Sequence, residues 1–294
     1  MENFRAELRE RLSPSHLAAD MQLSESAVQK RAADLDHPQY RDLELGQFVD
    51  QYSAVLFLDI RGFTRLSMAL PVSETGRILN AVISVAADQL RDYGAHINDF
   101  PGDGIMAVFT EEEHGAEGEI HARALFGASH LMALLSATLR EELLRVGVED
   151  PVQVAIGLYS GAVRWQRVGS EECNRLMAVG QVAPLAAKFA TSSHTNAWET
   201  MIGGPVAEDV PDAHKERRPD LIRTYAGKEL RRAQWLLDTV GLARRIPDLQ
   251  AARGVTESAH ARRNPKPPAA SSLVALAPAI RRRGSENRPD RGVG

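Results

Sequence analysis

Residues Ser53–Asp59 read SAVLFLD, an unbroken apolar run held between a serine and an aspartate. A run this short and continuous predicts a strand buried on both faces, which requires a sheet with a packed layer on each side. Gly62 breaks the run, so the aspartate sits at the strand's end beside a turn.

The segments that follow alternate between strand-like and helix-like patterns. Ser73 is placed to cap a helix running to about Tyr93, with Ile78, Leu79, Val82, Ile83, Ala86 and Leu90 on one stripe. Ala95–Asp99 and Gly104–Phe109 flank a Phe-Pro-Gly-Asp turn and predict a hairpin. A long helix is predicted from Glu117 to Val146, with leucines along one face. Val152–Tyr159 alternates like a half-buried strand, and Gly161 turns it into a second strand, Ala162–Val168. Gln181–Phe189 reads as a helix, and Thr200–Ile202, Leu221–Tyr225 and Arg232–Leu237 as late strands. The order β-α-β-β-α-β, with added strands, predicts a ferredoxin-like α+β sandwich. There is no internal repeat.

Charge divides the chain. Overall it is −4, but residues 250–294 hold nine Lys/Arg against three acids, leaving −10 for the rest. That last stretch has no aromatic residue and five prolines, which predicts disorder. Three zones result: a helical N-terminal arm (1–48), a central domain (49–245) and a basic, disordered tail (246–294). A body of −10 is a poor nucleic-acid binder. The faint helix-turn-helix pattern of Leu12–Ala33 is therefore read as an arm packing on a dimer. One cysteine, Cys173, excludes a disulfide framework and a multi-cysteine zinc site. With no leader pattern and no run of 18 apolar residues, the expectation is a cytoplasmic protein without a membrane span. The nine histidines show no H-x₃-H spacing, and only His96 falls close to the segments considered next.

Two segments carry the chemistry: Phe57-Leu-Asp59-Ile-Arg-Gly-Phe-Thr64 and Asn98-Asp-Phe-Pro-Gly-Asp103-Gly-Ile-Met-Ala-Val-Phe109. Carboxylates at adjacent strand ends suit hard divalent cations, and glycine-turn amides suit phosphate oxygens. The bland alternative is two turn or cap aspartates.

These segments resemble the catalytic domain of the class III nucleotidyl cyclases. Gly157-Leu-Tyr-Ser-Gly161-Ala-Val163 and Val179-Gly180 through Lys188 are similar to later parts of the same domain, and the resemblance covers about residues 50–240. It implies that Asp59 and Asp103, with the Ile60 carbonyl, ligate two Mg²⁺ or Mn²⁺ ions. It implies that the amides of Gly62, Phe63 and Thr64 hold a nucleoside triphosphate, and that the active sites are shared across a head-to-tail homodimer. The expected reaction is attack of the ribose 3′-hydroxyl on the α-phosphate, releasing pyrophosphate.

The base-reading positions depart from the family. The lysine four residues before the second metal aspartate is Asp99 here. The Asp or Thr three residues before the later glycine is Met177. The family asparagine is Pro184 and the transition-state arginine is Lys188, which keeps charge without the guanidinium fork. Arg164, Arg167 and Arg175 are candidates to compensate. Lys228 resembles the family's late phosphate lysine but is two residues out of register, since Ala226 holds the expected place; a solvated turn lysine is the alternative. Asp99 is read as an acceptor for uracil N3–H or the cytosine amino group, against the alternative of a hairpin residue capping its turn. This combination resembles the bacterial pyrimidine cyclases of Pycsar antiphage defence. It implies a cyclic UMP or cyclic CMP product, with UTP preferred as substrate, and a separate effector activated by that product. A purine cyclase with relocated base contacts and an inactive nucleotide-sensing module remain as alternatives.

Overall fold

The computed structural model describes residues 1–13, 36–111, 117–192, 198–225 and 228–244. The tail beyond 244 and most of the Leu12–Ala33 pattern lie outside them. Strand β1 (Phe48–Arg61) runs through the middle of an eight-stranded sheet, as its apolar run predicts. Its side chains alternate between two cores. Ala54, Leu56, Leu58 and Ile60 enter the larger one, while Val55 enters a second core that Phe57 also packs against.

After β1 come two helices, α1 having preceded it at Glu2–Leu12: α2 (Phe63–Ala69) and α3 (Val72–Arg91). The hairpin β2 (His96–Asp99) and β3 (Gly104–Thr110) follows, then α4 (Glu117–Arg145) and β4 (Gln153–Gly169). The strands of this β-α-β-β-α-β unit pair antiparallel in the order β2-β3-β1-β4, the ferredoxin-like arrangement. The sheet then extends through β6 (Glu199–Gly203), β8 (Lys228–Leu237) and β7 (Lys215–Tyr225), with β6 parallel to β4. Strand β5 (Asn174–Val179) forms a hairpin with the far end of β4. Helix α5 (Val182–Ser192) covers the second core, and α6 (Pro205–Glu208) and α7 (Thr239–Ala243) are short helices later in the described residues.

Two expectations are corrected, and two features of the fold were not foreseen. Helix α3 starts at Val72 after Pro71, so Ser73 lies inside its first turn and does not cap it. Gly161 does not turn the chain: β4 is one 17-residue strand, long enough to pair with β1, β6 and β5. β5 was not anticipated as a strand. Helix α1 packs on α3 and α4 of its own chain, burying Phe4, Leu8 and Leu12 in the larger core. Among the described residues, one helix (Glu119–Arg145) is long and apolar enough to cross a membrane, and 78% of the qualifying window is buried inside the protein.

An ion pair seats α1. Arg9 donates from Nε and Nη2 to the Glu142 carboxylate, both at 2.9 Å, and Arg5 and Arg145 lie 3.7 Å away. The Glu142 side chain is wholly shielded, and its pKa is held below 4.5, chiefly by the Arg9 hydrogen bonds. A lowered carboxylate pKa contributes stability above the unfolded value, lost as pH falls through the folded one. Leu8→Ala is expected to cost about 2–5 kcal/mol. Glu142→Gln is expected to cost about 2 kcal/mol at neutral pH and less as the pH falls below the ordinary glutamate value of 4.5 and through the lower folded one. Urea unfolding of the full chain at two pH values measures both; changes within about 0.5 kcal/mol of zero would mean that α1 is not seated as described.

Candidate functional site

The two aspartates meet because of the β1–β3 register. Asp59 lies opposite Gly104, the residue that follows Asp103 out of the Pro-Gly turn. A Cβ on Gly104 would come within 2.4 Å of the Leu58 carbonyl oxygen, so only glycine lets the strands approach this closely beside the two carboxylates. Asp59 is half-buried, and its pKa is raised from 3.8 by burial first and by the Asp103 charge second, with Arg61 pulling it down. Two carboxylates this close at strand ends, one of them with its proton affinity raised by burial and by the other's charge, are suited to a divalent cation. Among the described residues, no group of three or more His, Cys, Asp or Glu side chains forms a metal cage. Any cation here would draw on the two aspartates, backbone oxygen and a ligand's own phosphates.

Gly62 adopts φ +69°, a left-handed conformation that turns β1 into α2, and Phe63 and Thr64 open that helix. First-turn amides have no carbonyl partner within their own helix. The backbone of Gly62–Thr64 thus adjoins Asp59 in the chain, and Ile60 continues the strand with its side chain buried.

The residues on the other side of the expected site are also accounted for. Gln181, Pro184 and Lys188 are all exposed, and their spacing puts them on one face of α5 and its N-terminal edge. Asp99 ends β2, and Phe100 N–H donates to its Oδ1 at 2.9 Å, the local turn bond anticipated for a hairpin residue. The same oxygen receives Arg175 Nη1 at 3.2 Å and lies 3.1 Å from Nη2. Arg175 and Met177 alternate with Leu176 and Ala178, which point into the second core, so both face away from it. The structure thereby links Asp99 to the strand face that carries Met177. Lys228 opens β8 opposite Tyr225.

Of the three compensating arginines, two are committed elsewhere. Arg164 grips Asp50 through Nε and Nη2, both at 2.7 Å. Arg167 binds the Leu43 and Arg41 carbonyls and Asp36. Only Arg175 reaches a predicted site residue. Sequence reasoning named it without a place because β5 had not been recognised. His96 belongs to a ring cluster with His37 and Trp165, not to the aspartate pair. Burial lowers His37 to about 4, and His121 lies buried between Asp209 and Tyr52.

The same architecture occurs in solved structures. The adenylyl cyclase CyaB from P. aeruginosa superposes with a TM-score of 0.56 at 21% identity, covering 65% of this chain and 95% of that one. The guanylyl cyclase Cya2 gives 0.54 at 22% identity, covering 64% and 92%. The fold is that of the class III nucleotidyl cyclases. In sequence, this cyclase-fold chain is similar to pyrimidine cyclases. It is 27% identical over 200 residues to a cytidylate cyclase of Staphylococcus aureus, covering 66% of this chain and 45% of that protein. A cytidylate cyclase of Escherichia coli is 27% identical over 199 residues, covering 66% and 43%. An adenylate cyclase of Anabaena cylindrica is 25% identical over 150 residues. The chain thus spans less than half the length of the cytidylate cyclases that it matches. No protein-family model matches it.

Proposed function

We infer that the chain is a divalent-metal-dependent nucleotidyl cyclase acting on a pyrimidine nucleoside triphosphate. The single observation that carries the reading is the Asp59–Gly104 register, which sets Asp59 against Asp103, whose charge raises the Asp59 pKa, next to the Gly62 turn. Asp59, Asp103 and the Ile60 carbonyl are assigned to two Mg²⁺ or Mn²⁺ ions, which supply charge neutralisation and Lewis acidity at the phosphates and the ribose 3′-hydroxyl.

The remaining roles belong to the chain itself. The amides of Gly62, Phe63 and Thr64 bind the triphosphate, and Lys228 is assigned to its terminal phosphates. The 3′-oxygen displaces pyrophosphate from the α-phosphorus, closing the 3′,5′-cyclic ester. Lys188, exposed on α5, is assigned to the charge that develops there, reaching the site of a second copy of the chain in a head-to-tail homodimer. Asp99 reads the base edge, and Met177 fills space where the purine-reading family members carry a hydrogen-bonding side chain. Residues 49–245 are assigned as the catalytic unit. The likeness to cytidylate cyclases supports a pyrimidine and weighs toward CTP, whereas the residue reading prefers UTP. A cyclic pyrimidine nucleotide acting on a separate effector in antiphage defence follows from the same resemblance.

The test is turnover of ATP, GTP, CTP and UTP in parallel with Mn²⁺. A site built around a base hydrogen bond rejects a base that cannot make it by about 10⁴-fold. One pyrimidine triphosphate should therefore dominate. Turnover of ATP or GTP alone overturns the base assignment, and binding without turnover of any triphosphate overturns the enzyme.

A further inference from the structure

We propose that Arg175 is a specificity-determining residue, forming with Asp99 a paired donor and acceptor that reads the base edge. The proposal rests on the cyclase reading above and extends it to a residue which that reading leaves without a role. Three observations support it. First, Arg175 holds two acceptors of β2 at once: the Asp99 carboxylate, 3.1 Å from Nη2, and the Asn98 carbonyl at 3.0 Å. This fixes the guanidinium against the residue assigned to the base. Second, Arg175 lies two positions before Met177 on the same face of β5, so one surface carries both base-reading positions and the arginine between them. Third, the pair is open to solvent, with 43% of the Arg175 side chain and 33% of the Asp99 side chain exposed. Ion pairs this exposed contribute little to stability, so a ligand can share or displace one end without unfolding the hairpin.

The chemistry of the pair differs from that of a lone carboxylate. Asp99 alone only accepts. A guanidinium adds fixed N–H donors beside that acceptor. The Watson–Crick edges of cytosine and uracil each set a donor next to an acceptor: N4–H₂ beside N3 in cytosine, N3–H beside O4 in uracil. Each edge pairs with one carboxylate oxygen and one guanidinium N–H. Purine edges also set a donor beside an acceptor, but a pyrimidine is narrower, so its edge sits nearer the ribose, and a donor–acceptor pair held at that depth meets a pyrimidine's edge and crowds a purine.

The experiment compares the full-length protein with Arg175→Ala, Arg175→Lys, Asp99→Ala and the Arg175/Asp99 double alanine variant. Two panels are run. Turnover of the four triphosphates with Mn²⁺ tests the cyclase reading. Equilibrium binding of the four triphosphates with Ca²⁺, a non-reactive stand-in ion, gives the base preference without chemistry. The expected result is that Arg175→Ala lowers the preference for the favoured pyrimidine over ATP at least tenfold in binding. Arg175→Lys should restore only part of it, and the double variant should lose no more than either single one. An unchanged preference ratio in Arg175→Ala overturns the proposal even where overall affinity or stability drops. A blank turnover panel with a ratio that shifts on mutation overturns the cyclase reading and keeps Arg175 in the base site. Wild-type protein that binds none of the four overturns both.

Discussion

Asp59→Ala and Asp103→Ala should each lower cyclase turnover by at least about 10³-fold, the loss of roughly 4 kcal/mol of transition-state stabilisation. The stability of the metal-free protein should move the other way. The raised pKa of Asp59 means that the fold prefers it protonated, because burial and the Asp103 charge both oppose ionisation. A carboxyl with a raised folded pKa contributes stability below its unfolded value, near 3.8, and loses that contribution as pH rises through the folded value. At neutral pH the ionised pair is therefore a source of strain. Asp59→Asn and Asp103→Asn, which keep the shape and remove a charge, should raise the melting temperature without metal and weaken the rise that Mn²⁺ produces in the wild type. A side chain whose removal stabilises the fold and abolishes the reaction is kept for the reaction. Thermal melts with and without Mn²⁺, beside the turnover assay, separate this from a structural role. A variant that loses both stability and activity would return the aspartates to the status of turn residues.

The parts of this fold that were legible in the sequence are those set by local pattern. The SAVLFLD run could only be a central strand. The Phe-Pro-Gly-Asp turn between two apolar stretches could hardly be anything but a hairpin, and the register between them follows once β1 and β3 are adjacent. What escaped depends on contacts distant in the chain. β5 carries only Leu176 and Ala178 as inward residues, too little alternation to announce a strand, and its existence depends on the overhang of β4. The Arg175–Asp99 contact joins residues 76 positions apart and was invisible without β5. Helix α1 has a readable pattern, but nothing in Phe4, Leu8 and Leu12 says whether they pack on their own chain or on another; the shielded Glu142, in the last turn of α4, decides it. Ser73 does not cap because the helix starts two residues earlier than a capping serine there would allow, at Val72 directly after Pro71, whose ring fixes its φ at −54° while its ψ stays extended.

Gly157→Ala is the substitution expected to couple fold and site most sharply. The sequence sets Gly157 and Gly161 in one motif, but the structure uses them differently. A Cβ on Gly157 would lie 2.0 Å from the Ala186 carbonyl oxygen and 2.3 Å from the Ala190 nitrogen, both backbone atoms of α5. No rotamer change relieves such a contact, so the helix must lift from β4 by more than about 1 Å to reach van der Waals distance. A Cβ on Gly161 would meet only the Val182 side chain, at 3.1 Å, although its φ of +158° sits at the edge of what an L-residue adopts. Gly157→Ala should therefore cost about 3 kcal/mol, at the upper end for overpacking, and Gly161→Ala less. The helix that moves carries Lys188 between the two clashing residues. A displacement of about 1 Å in a catalytic element costs on the order of 10²-fold in rate. Gly157→Ala protein that remains folded at low temperature should thus show kcat reduced about 100-fold, with a smaller rise in KM for the triphosphate, since Arg61, beside the Gly62 turn assigned to the phosphates, donates to the Ala190 carbonyl of the helix that lifts. Urea melts and steady-state kinetics on the same preparation give both numbers. A destabilised variant with full kcat would remove Lys188 and its helix from the chemistry while leaving the aspartate pair in place.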